Sequence, residues 1–467
     1  MFKRLYFLFI ASTLAWGAHA QSLPASVLAA LKDAQIPAES VAVVVQPVDG
    51  SPLRVSHQSQ RPMNPASVMK LVTTYAALGL LGPAWTWKTT VHANSPIANG
   101  VLDGNLYLKG SGDPRFTIDN LWALLRQLRV RGLRDIRGDV VLDRSSFDVP
   151  AIDPGAFDDK PMRPYNVGPD GLLVNFRAIR FTLLPDGKQV QVFMETPSDR
   201  LGIDNRLRLA NGPCGSDWKD LIDVRLISDP RGDRVQFSGS YASQCGEKPL
   251  NLAPLPADAQ VGGLVRALWQ ELGGSLQGRV RPGATPPQAL QLAQNESPPL
   301  ADIVRDINKF SNNVMARQVF LTIGNDTAPA TPERARQRLG DWLAGRGLGF
   351  SELVLDNGSG LSRGERISAA SLNRLLLDAW KSPVMPEFVA SLPIVGIDGT
   401  MKKRLNGSQA SGRAHIKTGS LEGVKTAAGY ALDAQGRSHA VTFMINHPRS
   451  SAGGPAIDAL LLWIAQQ

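Results

Sequence analysis

Three short motifs follow one another along the chain: Ser67-Val68-Met69-Lys70, Ser311-Asn312-Asn313 and Lys417-Thr418-Gly419. Together they supply a serine nucleophile with a lysine base, a second hydroxyl with an amide, and a cation beside a third hydroxyl. This set suits acyl transfer, in which the first serine is transiently acylated. Each motif alone is common, so the prediction depends on all three occurring in this order.

Ser67 and Lys70 lie on one face if a helix begins at the serine, because residues three apart are one turn apart. Helix-start amides favour a developing negative charge, and a desolvated lysine has a lowered pKa and can take the serine proton. The alternative is a capping serine with an exposed lysine. Residues 69–80 are apolar on nearly all sides, which predicts a buried helix that Gly82-Pro83 ends.

The other two motifs can assist the same chemistry. Ser311 can relay a proton to a leaving amine, while the Asn313 amide binds a substrate carbonyl. Lys417 and Thr418 offer a cation and a hydroxyl to a substrate carboxylate, and Gly419 lets a backbone approach closely. The alternatives are an ordinary helix cap for the first motif and an ordinary surface strand for the second.

Composition excludes several classes of protein. The chain of 467 residues is 43% apolar and 19% charged, which is typical of a globular protein with two to four domains. Its formal net charge of +9 is scattered, so we predict no nucleic-acid binding and leave a weak association with membrane surfaces open. Two cysteines and six histidines form no zinc pattern, and we predict no metal or other cofactor.

The first twenty residues have the pattern of a cleaved secretory signal. Lys3 and Arg4 precede an apolar run over residues 5–16, and Ala18-His19-Ala20 is a small-x-small cleavage site. The run is too short to span a bilayer, and the alternative is a buried N-terminal helix. Removal of the two basic residues lowers the formal net charge from +9 to +7.

The two cysteines, Cys214 and Cys245, form an even set in a chain with an export signal, which predicts one disulfide. The bond would close a loop of about 30 residues and contribute about 3–4 kcal/mol by restricting the unfolded chain. Two buried free thiols are the alternative.

The order of predicted elements suits an α/β protein of the α+β type, with an antiparallel sheet covered by helices from both chain ends. Strands are predicted at 41–47, 53–57, 414–420, 426–432 and 439–445, and a final helix at 456–465. A further helix before Ser311 is predicted from the spacing of Leu300, Ile303, Val304, Ile307 and Phe310.

Well over two hundred residues separate the first two motifs, and this segment has a β-rich pattern with helical pieces near 119–130 and 259–273. We interpret it as a large insertion of two small subdomains, the second of which holds the cysteines. The predicted boundaries are 1–20 for the signal, 21–86 with 287–467 for a catalytic domain that includes a helical subdomain, 87–178 with 251–286 for inserted domain II, and 179–250 for inserted domain III.

With these motifs the sequence resembles the class C low-molecular-mass penicillin-binding proteins, of the penicillin-binding-protein-4 type. Residues 356–363, Asp-Asn-Gly-Ser-Gly-Leu-Ser-Arg, resemble the family's D-x-S-G-L-S-R segment. Residues 396–401 resemble its G-x-D-G-T-L segment, with Met401 for leucine. Asn312 occupies a permissive position of the S-x-N motif. The large insertion after S-x-x-K separates this group from other penicillin-binding proteins and from β-lactamases.

The resemblance implies a transpeptidase-like catalytic domain and a periplasmic D-alanyl-D-alanine carboxypeptidase and D,D-endopeptidase. The implied partners are peptidoglycan stem peptides as substrates and β-lactam antibiotics as acylating inhibitors, and a homodimer stays open. The carboxypeptidase-to-endopeptidase balance and the identity of the cross-linking diamino acid do not follow from the sequence.

The resemblance also implies roles for individual residues. Ser67 is the acylated nucleophile, Lys70 its base, and Ser311 with Asn313 assists proton transfer and orients substrate. The other implied substrate-binding positions are Lys417, Thr418 and Gly419 at the terminal carboxylate, Ser420 with Ser67 as oxyanion-hole amides, Arg363 and Glu422 at the substrate side chain, and the Asp158, Asp159 and Tyr165 region at the ammonium group of the diamino acid. Which of the two aspartates binds that group stays open.

Three competing interpretations are weighed against this one. A serine β-lactamase shares the acylation chemistry but needs fast deacylation, and the long gap between motifs fits a compact β-lactamase poorly. An inactive peptidoglycan-binding protein on the same scaffold would be expected to have lost Lys70 or Ser311. A chymotrypsin-like triad has no supporting context around any of the six histidines.

Overall fold

The computed structural model describes residues 22–230 and 232–467, so the predicted secretory signal at 1–20 lies outside the described residues. The helices are α1 (Ala25–Asp33), α2 (Lys70–Leu81), α3 (Ile118–Val130), α4 (Ala257–Glu271), α5 (Leu300–Phe310), α6 (Asn313–Ile323), α7 (Pro332–Gly345), α8 (Ala369–Trp380), α9 (Met385–Ala390) and α10 (Gly454–Ala465).

The strands of the described residues form six sheets. They are β1 (Val41–Pro47), β2 (Val55–His57), β3 (Pro62–Met63), β4 (Lys88–Ala93), β5 (Ile97–Ala98), β6 (Val101–Leu102), β7 (Leu106–Lys109), β8 (Asp135–Ile136), β9 (Val140–Asp143), β10 (Ile179–Pro185), β11 (Val190–Met194), β12 (Leu201–Ala210), β13 (Ile222–Asp229), β14 (Gly232–Ala242), β15 (Lys248–Leu252), β16 (Ser275–Leu276), β17 (Val280–Pro282), β18 (Leu290–Glu296), β19 (Ile367–Ser368), β20 (Ala414–Leu421), β21 (Val424–Leu432) and β22 (Ser438–Asn446).

A five-stranded antiparallel sheet of order β2-β1-β22-β21-β20 joins the two ends of the chain. The Val-Ala-Val-Val-Val run of β1 is buried throughout, because helices cover both faces of this sheet and β-branched side chains pack well on a pleated surface. β20 is an edge strand, and among the described strands it pairs only with β21. Its second edge carries an isolated antiparallel bridge between His415 and Ile394, beside which the Ile416 amide donates to the Pro393 carbonyl at 2.7 Å.

Helices α1 and α10 pack on one face of this sheet, and α2 and α8 lie on the other. The first nine residues of α2 are all buried, as the uniformly apolar sequence predicted. α2 contacts α5, α6 and α7 in a helical layer, so it is an interior element with neighbours on every side. A residue on α2 is therefore held with little freedom to move.

The insertion leaves the helical layer and returns to it at adjacent points. β4 begins at Lys88 and β18 ends at Glu296, and these two residues pair in an antiparallel register. Because the two ends of the insertion lie side by side, the long sequence gap does not separate Ser67 from Ser311 in space.

The inserted residues form two packed units. The first has sheets of order β17-β9-β7-β4-β18 and β16-β8-β6-β5 around a core shared with α3 and α4. The second has sheets of order β11-β10-β15 and β12-β14-β13, and its core includes Phe181, Phe237 and Tyr241. The Cys214–Cys245 disulfide belongs to this second unit and links the segment after β12 to the turn after β14.

The α+β fold class, the sheet covered by terminal helices and the β-rich insertion are confirmed. The exact domain boundaries stay predictions. In α5, Leu300, Ile303, Val304 and Ile307 are buried, whereas Phe310, which continues the same helical spacing, is 69% exposed. α5 ends at Phe310, so this side chain lies beyond the packed face of the helix.

We predict that replacing Cys214 and Cys245 together by alanine weakens the second inserted unit by about 3–4 kcal/mol, because the unfolded loop is no longer restricted. Hydrogen exchange should show lost protection in β10 to β15 and little change in β20 to β22, which serve as the internal control. An equal loss in both groups of strands would contradict the separation of this unit from the terminal sheet.

Candidate active site

A cleft of about 940 Å³ lies where β20, the start of α2, the α5–α6 junction and the inserted segment 157–165 meet. The residues predicted from the motifs and the resemblance that line it are Ser67, Ser311, Asn313, Thr418, Gly419, Ser420, Asp158 and Tyr165. Lys70 and Lys417 are buried behind its wall. The fold thus brings the three motifs to one place.

Ser67 lies in a single 3-10 turn, Ala66–Met69, that leads directly into α2. Two glycines allow neighbouring backbone segments to approach this turn. A Cβ at Gly360 would lie 2.0 Å from the Ala66 carbonyl oxygen, and a Cβ at Gly419 would lie 2.8 Å from the Ser67 amide nitrogen. No larger residue fits at either position, so the backbone segments at Gly360 and Gly419 pack directly against the turn that holds Ser67.

Lys70 is fully buried, and its Nζ lies 3.0 Å from Ser67 Oγ and 2.6 Å from Asn313 Oδ1 and donates to the Ser359 carbonyl. Burial, followed by the charge of Lys417, holds the pKa of Lys70 well below the ordinary lysine value. A neutral amine has two N–H donors and one lone pair. Asn313 Oδ1 and the Ser359 carbonyl can only accept, so they occupy both donors and leave the lone pair for the Ser67 hydroxyl proton.

The junction between α5 and α6 presents Ser311 and Asn313 to the cleft. Ser311 ends α5 in the left-handed conformation, with a φ of +57°. Asn312 begins α6 by accepting a hydrogen bond from the Met315 amide at 3.1 Å. The capping role and the role in the site are therefore compatible. The helix ends at this junction turn the side chains of Ser311 and Asn313 towards the buried lysines.

Lys417 on β20 donates to Ser311 Oγ at 2.8 Å and to the Thr418 carbonyl at 2.7 Å. Burial lowers the pKa of Lys417 to about 7. Because this amine is enclosed, the hydroxyls of Thr418 and Thr400, 2.8 Å apart, are the groups that a ligand carboxylate meets at this end of the cleft. Lys417 can act on such a ligand through its charge.

An ion pair between a buried lysine and a partly exposed aspartate lies just before Thr400. Lys309 on α5 has a side chain only 6% exposed, and its Nζ lies 2.7 Å from Asp398 Oδ2. The same Nζ donates to the Leu392 carbonyl at 2.6 Å. These contacts tie the segment before Thr400 to the helix that ends at Ser311. In the sequence, the only indication of this ion pair was the position of Lys309, two residues before the second motif and near the end of the predicted helix that became α5.

The inserted segment contributes one anionic group to the cleft. Asp158 accepts hydrogen bonds from Tyr165 Oη and Asn166 Nδ2, each at 2.7 Å. Burial tends to raise the pKa of Asp158, but these hydrogen bonds outweigh it and the pKa is lowered. Arg317 on α6 anchors the segment by donating to the Tyr165 carbonyl at 3.3 Å. Asp159 is exposed and is not among the residues that line the cleft.

Arg363 and Glu422 do not line the cleft either. They form an exposed ion pair with a separation of 3.2 Å. The Arg363 guanidinium lies 5.2 Å from the ring centroid of Phe157, the neighbour of Asp158. The pair thus connects β20 and the 356–363 loop to the inserted segment at the rim of the site.

Within residues 22–230 and 232–467, no group of three or more His, Cys, Asp or Glu side chains could hold a metal ion. In the same part of the chain, no helix is long and apolar enough to cross a membrane. The cleft itself offers a hydroxyl beside an amine with a depressed pKa, a second hydroxyl beside another such amine, and a pair of threonine hydroxyls. This is an arrangement for acyl transfer.

Residues 23–467 match the model of a family described as the D-Ala-D-Ala carboxypeptidase 3 (S13) family. The chain is 30% identical to a D-alanyl-D-alanine carboxypeptidase of Actinomadura sp. (strain R39), over 96% of this chain and 86% of the relative. Penicillin binding protein 4 from Haemophilus influenzae is similar in fold, with a TM-score of 0.79 and 24% identity over 94% of this chain and 99% of the other. The same Haemophilus protein complexed with a β-lactam gives a TM-score of 0.75 and 24% identity, over 95% and 100% of the two chains.

We predict that Asp398→Asn lowers the free energy of unfolding by about 1–2 kcal/mol, because it leaves the buried Lys309 ammonium without its counterion while solvent screens part of the effect. Burial tends to raise the pKa of Asp398, but hydrogen bonds from the Ile394 amide and Lys309 lower it overall. The wild-type advantage should therefore vanish as the pH falls through this lowered pKa. Urea unfolding at neutral and acid pH measures the difference, with the exposed Asp302→Asn as control. A pH-independent difference would contradict the ionic explanation.

Proposed function

The chain belongs to the D-Ala-D-Ala carboxypeptidase 3 (S13) family, and we propose that it hydrolyses the terminal D-alanyl-D-alanine bond of peptidoglycan stem peptides through an acyl-enzyme on Ser67. The observation that carries the proposal is the 3.0 Å contact between Ser67 Oγ and Lys70 Nζ in a cleft that the other two motifs line. The resemblance to penicillin-binding-protein-4 type enzymes is confirmed by the family match.

In the proposed acylation step, Ser67 Oγ attacks the carbonyl carbon of the penultimate D-alanine while its proton passes to Lys70. The backbone amides of Ser67 and Ser420 are the proposed donors to the oxyanion, since both residues line the cleft. The C–N bond then breaks, and the leaving nitrogen takes a proton from the Ser311 hydroxyl. Lys417 gives Ser311 a new proton, and the proton that Lys70 took from Ser67 returns to Lys417, so that both amines regain their starting forms. Water next attacks the ester carbonyl and gives a proton to Lys70. The ester C–O bond breaks, Lys70 passes this proton to Ser67 Oγ, and the shortened peptide leaves with a free carboxyl group.

We propose that the terminal carboxylate of the substrate contacts the hydroxyls of Thr418 and Thr400 and is attracted by the charge of Lys417. The attraction acts without a direct hydrogen bond, because Lys417 is enclosed and already donates to Ser311. A cross-link between stem peptides also presents a carboxylate next to an amide of D-alanine. The same contacts therefore support a D,D-endopeptidase activity alongside the carboxypeptidase activity.

We propose that Asp158, and not Asp159, binds the free ammonium of the diamino acid beside the scissile bond. Asp158 is the one carboxylate among the described residues that line the cleft. Tyr165 and Asn166 donate to it and hold it in the ionised form. Arg363 and Glu422 are proposed to act on the substrate indirectly, by fixing Phe157 and thereby the position of its neighbour Asp158.

β-Lactam antibiotics are proposed to acylate Ser67, since their strained amide carries a carboxylate at a similar position to the peptide substrate. The β-lactam complex of the structurally similar Haemophilus protein supports this. The serine β-lactamase alternative requires rapid hydrolysis of the adduct. Asp158 is held by the inserted segment and is a poor candidate for activating water at Ser67, so slow hydrolysis is expected. The Ser67–Lys70 contact argues against the inactive peptidoglycan-binding alternative.

We propose that the protein works in the periplasm. The disulfide in the second inserted unit supports an oxidising compartment. The formal net charge, +9 for the full sequence and +7 without the predicted signal, supports a weak, screened attraction to anionic membrane surfaces.

We predict that incubation with a penicillin adds one covalent adduct, which peptide mass mapping finds on Ser67. Lys70→Ala should slow its formation by about 10²–10⁴-fold, because the base is lost. The exposed Lys381→Ala is the control and should react as the wild type does. An adduct on another residue of the folded protein would overturn the assignment, and loss of the adduct within seconds would favour the β-lactamase.

We predict that Asp158→Asn lowers kcat/KM for a stem peptide about 10- to 100-fold, because it removes a charge-assisted hydrogen bond worth roughly 1.5–3 kcal/mol. Penicillin acylation should hardly change, since a simple penicillin lacks the ammonium group. Asp159→Asn is the matched control and should leave both rates unaltered. Equal losses on both substrates for Asp158→Asn would mean that this residue maintains the fold of the segment and does not bind the ammonium.

A further inference from the structure

Glu365 is a buried carboxyl group near Lys70 to which the proposed mechanism gives no role. Its side chain is 0% exposed. Oε1 accepts hydrogen bonds from the backbone amides of Asp356 at 3.2 Å, Asn357 at 3.2 Å and Gly358 at 3.3 Å. Oε2 is buried and has no hydrogen-bond partner among the described residues. A carboxylate with one unsatisfied buried oxygen is costly for the folded state, so its presence requires an explanation.

The loop that Glu365 holds makes direct contact with α2. Thr73 Oγ1 donates to the Gly358 carbonyl at 2.7 Å, and Lys70 Nζ donates to the next carbonyl, that of Ser359. The loop is therefore fixed by Glu365 on its amide side and by two side chains of α2 on its carbonyl side. A shift of the loop would move one of the two acceptors that direct the lone pair of Lys70 towards Ser67.

A glutamine could accept the same three hydrogen bonds at a lower desolvation cost. What a carboxyl group adds is a charge that changes with pH. Burial raises the pKa of Glu365 to about 7, against the effect of the three backbone hydrogen bonds. This group therefore titrates in the neutral range, close to an amine whose proton decides reactivity.

Charged groups from two other elements, β20 and α6, face this pair. Lys417 from β20 and Arg317 from α6 add to burial in lowering the pKa of Lys70, whereas Glu365 raises it. Arg317 also interacts with Glu365 and with Asp356, which adjoins Glu365 in the loop. Among these groups, Glu365 is the one whose charge favours the ammonium form of Lys70.

We propose that Glu365 is a positioning residue for Lys70, which holds the Ser359 carbonyl in place and, through its charge, sets the pH above which Lys70 is a free base. The inference rests on the proposed function, because it takes Lys70 to be the base of the acylation step. It assigns two separable effects to one side chain, a geometric effect of Oε1 and an electrostatic effect of the ionised carboxylate.

Two substitutions separate these effects in the full chain. Glu365→Gln keeps an acceptor at Oε1 and removes the charge, and Glu365→Ala removes both. Glu352→Gln is the matched control, because Glu352 also accepts a backbone amide, that of Ser368, and is not among the groups that act on Lys70. The measurement is the second-order rate of acylation by a penicillin as a function of pH, with thermal unfolding of each variant as a check of folding.

Glu365→Gln should reach a plateau rate within about threefold of the wild type, with the acid limb of its profile moved to lower pH by about one unit, because the ammonium form of Lys70 has lost its stabilising charge. Glu365→Ala should lose about 10- to 100-fold at the plateau, since a lysine displaced by an ångström is a poor base. Glu352→Gln should reproduce the wild-type profile. A Glu365→Gln profile that superimposes on the wild type would overturn the electrostatic part, and wild-type acylation by folded Glu365→Ala would overturn the geometric part.

A second measurement does not depend on acylation. Lysine labelled with ¹³C at the ε carbon reports the titration of Lys70, whose signal is identified by its loss in Lys70→Ala. Glu365→Gln should move the midpoint of this titration to lower pH, and an unchanged midpoint would sink the proposal. If the wild type is not acylated at all, the proposed function fails, while this titration still decides whether Glu365 controls the protonation of Lys70. If Glu365→Ala does not fold, the glutamine variant and the titration carry the decision.

Discussion

The site depends on keeping one amine neutral and directing its lone pair at one hydroxyl. Removal of Lys70 from water supplies the first condition, because burial destabilises the ammonium form. The second condition needs two oxygen acceptors in fixed positions, which Asn313 and the Ser359 carbonyl provide. These acceptors come from α6 and from the 356–360 loop, whereas the lysine belongs to α2. The packing of α2 against its neighbours is thus a requirement of the chemistry as well as of stability.

The concentration of positive charge around Lys70 lowers the stability of the folded state, and the surrounding structure must offset this loss. Lys70, Lys417 and Arg317 are all buried within the same region, and their charges repel one another. The repulsion lowers the pKa of Lys70 further, which suits its proposed role as a base, but it also destabilises the folded state. Lys309 shows the contrasting arrangement, because Asp398 neutralises it and the pair joins the segment before Thr400 to α5. Proteins commonly accept lower stability at a reactive site in exchange for activity.

The sequence predicted what is encoded locally and left open what depends on contacts between distant segments. The valine-rich β1, the apolar α2 and the three motifs have periodic or short-range signals, and the structure brings the motif residues together. Glu365 and Lys309 belong to no periodic pattern that reveals their contacts: Glu365 accepts from amides of its own loop, and Lys309 pairs with Asp398 in a distant segment. Phe310 shares the helical spacing of four buried residues but is exposed, because the helix ends there. Asp158 and Asp159 could not be distinguished by spacing, because the turn that separates their environments is a tertiary feature.

The insertion is coupled to the chemistry through α6, the helix that also carries Asn313. Arg317 donates to backbone carbonyls of the segment that holds Asp158. The neighbouring Gln318 is buried and donates to the carbonyl of Asp170 at 2.8 Å, in the same inserted domain. One helix therefore fixes both the amide that orients Lys70 and the segment proposed to read the substrate side chain. These anchors are buried polar groups, and leaving them unpaired would cost the folded state a large free energy. The distance between Ser67 and the segment that holds Asp158 is therefore set by the interior of the protein and is insensitive to changes at its surface.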